Sequence, residues 1–479
     1  MSIERKAIAG LKWTGAAKLI GQAASWAVTL VVVRLLAPGD YGLMAITVVV
    51  VSVFSSIAEL GLGASMVQAP TLPSQELAQI SGLALILNLA IGSLVALTAP
   101  VIGELFNDTR LTAVIQVSAL QFIPAALCTV PQAVAHRDMR FKWLAWVDLM
   151  AGAVAGLTTL ALALQGAGVW ALVLGSLSSS TVRAAMLLRD GIVWPTLRFA
   201  DTRRHLRFGG AITTARLAWQ VVNQSDVLIA GRFLTQEAVG LYSVSLHVAT
   251  LPMQKIMGIV NQVAFPAVAR LQADPDRLRE RLLFALGLLN LVAVPLTWGI
   301  SAVAPEFVAL VFGDKWASAV YPLQVLSLIV PLKMISALIT TATLGVGAAT
   351  LDLRNTMINA VVLPLAFLGS VHWGVDGLAS GWVVALTIVL ALTLPRMCKV
   401  LGLTIREVAR TGFTPMLAGA AMYGVIMMVR ALLAEAEVAY RLPALILGGT
   451  LAYLAVITVL KRSIWNDLGR VIAALRASA

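Results

Sequence analysis

The sequence predicts an all-α polytopic membrane protein of about 14 transmembrane helices, built as two pseudo-symmetric six-helix lobes followed by two further helices. Three observations lead there: composition, the distribution of basic residues and an internal repeat. Of the 479 residues, 59% are hydrophobic and 12% charged, and the mean hydropathy is +0.90. A bilayer span takes about 20 apolar residues, so about 14 spans would use roughly 280 positions, close to the hydrophobic share of the chain. Disorder, coiled coil and a large water-filled enzyme domain are excluded, because each needs charged or low-complexity sequence.

Apolar stretches bounded by charge, Pro or Gly place the first six helices at 13–36, 42–64, 77–99, 111–134, 143–164 and 168–188. A basic connector, 189–208, separates them from helices at 211–230, 240–262, 282–303, 320–343, 356–373 and 376–395, and an isolated pair follows at 412–431 and 442–460. The expected division is an N-terminal lobe (1–195), a C-terminal lobe (196–400) and a final segment (401–479) with helices 13 and 14. With the N-terminus inside, 24 of the 35 Lys and Arg residues fall in cytoplasmic segments and 6 outside. This asymmetry places both termini in the cytoplasm. The net charge of +12 is therefore a topology signal and does not imply a nucleic-acid partner. Arg5, Lys6 and Lys12 precede an apolar stretch with no small-residue cleavage site, which reads as an uncleaved first span.

A shift of 198 positions aligns VRLLAPGDYGLMAI (33–46) with GRFLTQEAVGLYSV (231–244), matching Arg34 to Arg232, Leu36 to Leu234, Gly42 to Gly240 and Leu43 to Leu241. The same shift pairs Lys18 with Arg216 and Gln22 with Gln220. An even number of helices per unit makes the copies parallel, and such lobes usually flank the substrate path.

Five basic residues, Lys18, Arg183, Arg216, Lys255 and Lys333, fall inside predicted spans, where a central charge costs about 2.5–3.5 kcal/mol. Arg183 is close enough to its helix end to snorkel. Lys18, Gln22 and Ser25 share one helix face, and Arg216, Gln220 and Asn223 form the equivalent stripe on helix 7. Polar residues two turns deeper than the charge point to a water-filled cavity rather than to snorkelling. Helix 8 adds His247, Gln254, Lys255 and Gln262 on one face, and Lys333 lies near the middle of helix 10. Helix 2 carries Ser52, Ser55, Ser56 and Glu59, with Glu59 a pairing partner for Lys18, and Asp226 sits near the outer end of helix 7. The expected substrate-binding set is Lys18, Gln22, Arg216, Gln220, Asn223, Lys255 and Lys333. A cationic cavity suits an anionic ligand, phosphate or pyrophosphate by the Arg fork and the Lys point charge, with the amides serving sugar hydroxyls.

No P-loop, HExxH, GxSxG or metal-spaced His/Cys cluster occurs, so no catalytic residue, metal site or cofactor is expected. Cys128 and Cys398 lie far apart in apolar segments and read as inert. Glu306 and Asp314 read as part of a solvated outer loop.

RLLAPGDYGLMA (34–45), ELGLGASMVQ (59–68), FNDTRL (106–111), VPQAVAHRDMRFKWLA (130–145), GRFLTQEAVGLYSV (231–244) and FPAVARLQADPDRLRE (265–280) together resemble the polysaccharide-transport branch of the multidrug/oligosaccharidyl-lipid/polysaccharide (MOP) superfamily. The nearest group is the Wzx-type flippases of exopolysaccharide clusters, including xanthan-type systems. The resemblance runs in register over about 1–400. It implies a MATE/MOP-like fold and a flippase of the bacterial inner membrane. The substrate it implies is an undecaprenyl-pyrophosphate-linked oligosaccharide, moved to the periplasmic face by alternating access. The same resemblance assigns Lys18, Arg216 and Lys255 to the pyrophosphate. Glu59 and Asp226 are the candidate ion-coupling residues. The bilayer, a polysaccharide polymerase and glycosyltransferases are the expected partners.

Three rivals make different demands, one of them a membrane glycosyltransferase or polymerase, which would form glycosidic bonds with lipid-linked precursor. A cation-coupled multidrug exporter of the same superfamily would place acidic and aromatic residues in the cavity, where this sequence offers chiefly Glu59 and Asp226 against five basic residues. A non-transporting scaffold for glycan enzymes would tolerate charge-neutral substitutions there.

Overall fold

The structure, a computed structural model, describes residues 28–69, 72–189, 191, 193–197, 210, 213, 217 and 219–460. These residues form helices and connecting turns, with no strand among them. Ten helical segments among the described residues are long and apolar enough to cross a membrane. One of the ten, Ala349–Val400, is 52 residues long and folds as two helices joined by a short 3₁₀ turn at Val371–Trp373. The protein is a multi-pass membrane protein. By contact density it divides into two compact units, Met1–Gly240 and Leu241–Ala479.

Unit 1 contains the helical stretch 28–35 and eight further helices: α1 (Pro38–Glu59), α2 (Leu62–Gln68), α3 (Ser74–Leu105), α4 (Arg110–Ala119), α5 (Phe122–Arg137), α6 (Phe141–Leu164), α7 (Val169–Leu188) and α8 (Ser225–Phe233). Two predicted spans are interrupted, each for an identifiable reason. Span 2 breaks after α1, where Leu60 and Gly61 turn left-handed at φ 42° and 59°, a conformation that glycine adopts without penalty. Span 4 breaks between α4 and α5. Pro124 has no N–H to give to the Leu120 carbonyl, which accepts from Ile123 in a tighter turn at 3.1 Å. At one end of the unit Arg137 donates to the Met66 and Ala69 carbonyls at 3.1 and 2.6 Å. The connector docks on α3, with Thr196 N–H donating to the Ala78 carbonyl at 3.0 Å. Both contacts lie at helix ends that the charge asymmetry assigns to the cytoplasm.

The repeat is visible in the packing. A Cβ at Gly42 would lie 1.8 Å from the Gln236 carbonyl oxygen, and one at Gly240 would lie 1.7 Å from the Pro38 carbonyl oxygen. Residues 38 and 42 correspond to 236 and 240 under the 198-residue shift. One contact is therefore made twice, as across a two-fold interface. Side-chain-free backbone at both positions lets the start of α1 meet the segment 236–240.

Unit 2 contains the rest of α9 (Gln236–Leu271), then α10 (Pro275–Phe307), α11 (Val320–Gly345), α12 (Ala349–Ser370), α13 (Gly374–Val400), α14 (Ile405–Leu432) and α15 (Val438–Leu460). A π turn, Val308–Phe312, and a 3₁₀ turn, Asp314–Ala319, join α10 to α11. Leu286, Ala293, Val330, Met334 and Ala342 are fully or almost fully buried between α10 and α11. Helices α14 and α15, which lie outside the repeat, dock on α10 through Val294, Ala418, Met422 and Leu445. Gly419 admits that approach, since a Cβ there would meet Val294 at 2.6 Å. At the opposite end of α10, Arg279 pairs with Glu407. Glu407 also closes the α14 capping box by accepting from Thr404 N–H at 2.9 Å. Large apolar side chains such as Leu97, Leu157, Leu365, Val384 and Leu451 face outward, as a hydrocarbon surround requires.

Candidate functional site

In unit 1 the serine face of α1 and the amide stripe that precedes α8 meet. The Ser56 hydroxyl donates to Gln220 Oε1 at 2.7 Å. Ser52 and Ser56 are spaced one turn apart on that face, and Ser52 returns its own proton to the Val49 carbonyl at 2.9 Å. Asn223 is exposed, and its amide donates back to the Trp219 carbonyl at 2.8 Å. Asp226 is 1% exposed, and its carboxylate accepts from Val227 N–H at 2.8 Å in the first turn of α8. Glu59 is exposed on the last turn of α1, just before the left-handed break. Lys18, Gln22 and Arg216 lie outside the described residues. In the FNDTRL loop Arg110 chelates Asp108, with Nη2 to Oδ2 at 2.7 Å, and this pairing holds the Asp108 carboxyl below its usual range.

In unit 2, Lys255 is exposed on α9, on the helix face that carries His247 and Gln254. Lys333 is held differently. Its ammonium stands 3.6 Å from the centroid of the Trp382 ring on α13. Trp382 is buried, and its indole N–H donates to the Tyr242 hydroxyl at 2.7 Å. Phe367 meets the same ring edge-on at 5.1 Å. An ammonium over a desolvated indole gains about 2 kcal/mol, comparable to what insertion of a lysine at mid-helix costs on the lower scales. Lys333 is thus locked to α13 by aromatic chemistry that no sequence spacing announced.

Two charges behave otherwise than their sequence context suggested. Arg183 pairs with Asp148 across α6 and α7, Nη2 to Oδ1 at 2.9 Å, so it answers a carboxylate on the neighbouring helix as well as lying near a helix end. Glu306 is not part of a solvated loop. Its side chain is 1% exposed and takes a two-pronged contact from Arg430, with Nε to Oε1 at 2.8 Å and Nη2 to Oε2 at 2.7 Å. Arg441 Nε stands 3.5 Å from Oε1. One buried carboxylate therefore ties α10 to both C-terminal helices. The signal was present in the sequence as Arg430 and Arg441, the two basic residues at the outer ends of helices 13 and 14.

The described residues thus form a multi-pass helical scaffold in which Ser56 reaches Gln220 and Lys333 rests on the Trp382 ring. The fold resembles that of the lipid II flippase MurJ in its inward closed conformation, with TM-score 0.74 and 14% identity, covering 93% of this chain and 98% of that one. It also resembles an inward-facing multidrug resistance MATE family transporter of the MOP superfamily, with TM-score 0.62 and 15% identity, covering 78% of this chain and 94% of that one. The chain belongs to the polysaccharide biosynthesis protein family, which it matches over residues 31–321. The lipopolysaccharide biosynthesis protein WzxC of Escherichia coli K12 is 26% identical over 417 residues, 85% of this chain and 84% of its own. The teichuronic acid biosynthesis protein TuaB of Bacillus subtilis 168 is 25% identical over 417 residues, 84% and 85%. The succinoglycan biosynthesis transport protein ExoT of Rhizobium meliloti 1021 is 25% identical over 370 residues, 76% and 74%.

Proposed function

We propose that this protein is a flippase of the bacterial inner membrane that carries an undecaprenyl-pyrophosphate-linked oligosaccharide repeat unit from the cytoplasmic to the periplasmic face for surface-polysaccharide assembly. One observation carries the reading: relatives named for three different surface glycans align over most of this chain's length. The need to move a lipid-linked glycan across the membrane would be common to the assembly of all three. The MurJ-like fold supports the same reading at the level of architecture. A polyanionic headgroup cannot cross about 30 Å of hydrocarbon unaided. The protein would lower that barrier by offering Lys18, Arg216 and Lys255 to the pyrophosphate, and Gln22, Gln220 and Asn223 to hydroxyls. Lys333, held on Trp382, would set the local field from the aromatic cluster of unit 2. Alternation of the two repeats, 1–195 and 196–400, would expose this path to either face, with both termini in the cytoplasm. Glu59 and Asp226 would couple a cation to the return step. The role is transport, with no bond made or broken.

The test is complementation. In a strain lacking the native copy, the wild-type chain restores surface polysaccharide, and Arg216→Gln/Lys255→Gln restores much less at equal membrane abundance. Full export by the double variant would remove the anion-binding assignment.

A further inference from the structure

Leu365 and Val384, two of the side chains that face outward into hydrocarbon, are 62% and 55% exposed and flank a groove of about 490 Å³ between α12 and α13. Apolar and small residues make up most of its lining. Gly377 and Gly381 carry no side chain, so α13 closes on Ser370 of α12, and these three buried residues form a shallow floor. The groove starts at the helix ends that the charge asymmetry assigns to the periplasm. From Asp376 to Val384 it descends along α13 by about 12 Å at the helical rise per residue, into the outer half of the bilayer.

The outer rim of the groove has different chemistry. Tyr321 and Trp373 stand there, 45% and 75% exposed, aromatic residues of the kind that mark the level of the lipid headgroups. The Ser380 hydroxyl donates to the Asp376 backbone carbonyl at 2.8 Å. With that proton committed, its oxygen accepts from the Tyr321 hydroxyl at 3.1 Å, and Tyr321 is left with lone pairs to offer. Asp376 is exposed in the first turn of α13, and its carboxylate has no hydrogen bond or ion pair among the described residues. A hydrocarbon chain in the groove gains packing but little selectivity, because lipid tails are as apolar as the side chains around them. Selectivity therefore lies at the rim. A primary ammonium brings a positive charge and N–H donors to the carboxylate and the phenol oxygen. An anionic headgroup is repelled by Asp376, and a quaternary ammonium carries the charge without a proton to donate.

We propose that this groove is a binding site for an outer-leaflet phospholipid with a primary ammonium headgroup. One acyl chain lies along α12 and α13 past Leu365 and Val384, and the ammonium meets Asp376 beside Tyr321. The lipid is a resident of the bilayer and not the cargo, so the site stands apart from the flippase reading above.

Two substitutions separate the chain from the headgroup. Nothing lies within 4 Å of a Cβ built at Gly369, which is exposed on the groove wall, so Gly369→Leu fills the path of the chain without meeting backbone. Asp376→Asn keeps the shape of the rim and removes its charge. Full-length protein is reconstituted in nanodiscs holding phosphatidylethanolamine, phosphatidylcholine and phosphatidylglycerol with identical acyl chains, and undecaprenyl phosphate is added as a further arm. After release into detergent, retained lipid is counted by native mass spectrometry. The expected result is retention of phosphatidylethanolamine about fivefold above either of the other phospholipids, which is what a partly exposed ion pair is worth. Asp376→Asn abolishes that preference while lipid is still retained, and Gly369→Leu lowers retention of all three. Equal retention of the three by the wild type overturns the proposal, as does a preference for phosphatidylglycerol or undecaprenyl phosphate, or a phosphatidylethanolamine preference unchanged in Asp376→Asn. A lipid-free dimer that forms in the wild type and is lost in Gly369→Leu also overturns it, since a second copy would then cover the groove. Should Gly369→Leu fail to fold, Asp376→Asn decides alone.

Discussion

Gly42→Ala places one methyl group where the structure has room for none. Its Cβ would be 1.8 Å from the Gln236 carbonyl oxygen, against about 3.3 Å for a tolerable C···O approach, so the start of α1 must retreat by roughly 1.5 Å. The obstacle is backbone at the head of a 36-residue helix and has no rotamer to change. Overpacking of this kind costs about 1–3 kcal/mol. Gly240→Ala meets the Pro38 carbonyl oxygen at 1.7 Å and costs a similar amount. Because one retreat relieves both clashes, Gly42→Ala/Gly240→Ala should cost little more than either single change, a coupling of about 1–3 kcal/mol. Gly39→Ala is the control, since nothing lies within 4 Å of a Cβ there. The assay is denaturation midpoint in mixed micelles, with surface-polysaccharide export measured in parallel. Unchanged stability in both single variants, or strictly additive losses in the double, would refute the paired-glycine contact.

Three further predictions follow from separate parts of the molecule. Glu306→Gln leaves Arg430 and Arg441 without their shared carboxylate, which is 1% exposed. The expected loss is about 3–5 kcal/mol, read as earlier protease cleavage in the 433–437 loop between α14 and α15, and cleavage at the wild-type rate would contradict it. Trp382→Leu removes both the ring under Lys333 and the donor to Tyr242, so it should destabilise the protein by about 3 kcal/mol or more. Lys333→Met in that background should then recover part of the loss, and no recovery would show that the ring does not carry the ammonium. Single cysteines at Ala273 and Gln165, both exposed, should react with an impermeant maleimide only from the cytoplasmic and only from the outer side respectively. The reverse pattern would invert the topology.

The fold was legible because its determinants are one-dimensional. Long apolar runs located the helices to within several residues, and the 198-residue shift exposed the duplication, down to the two glycines that pack on one another's backbone. Helix ends were less legible. The helices run past their apolar cores, as in α9 and α10, whose facing ends carry the charge of Arg270 and the cap Asp274 instead of apolar residues. Proline and left-handed backbone break spans 2 and 4 without interrupting their hydropathy. Of the polar stripes expected on helices 1 and 7, only Gln220 and Asn223 fall among the described residues, and Ser56 reaches Gln220. Partners chosen in three dimensions were not legible. Nothing in sequence spacing joins Lys333 to Trp382, Asp148 to Arg183 or Glu306 to Arg430.

The central claim is transbilayer movement of a lipid-linked glycan. It is tested most directly by reconstituting the purified protein in liposomes with a fluorescent undecaprenyl-pyrophosphate oligosaccharide and following the probe's exposure to an external quencher, with and without an imposed potential. The account predicts exposure faster than in empty vesicles and slowed by Arg216→Gln/Lys255→Gln. No protein-dependent exposure under any gradient, from correctly folded protein, would contradict it.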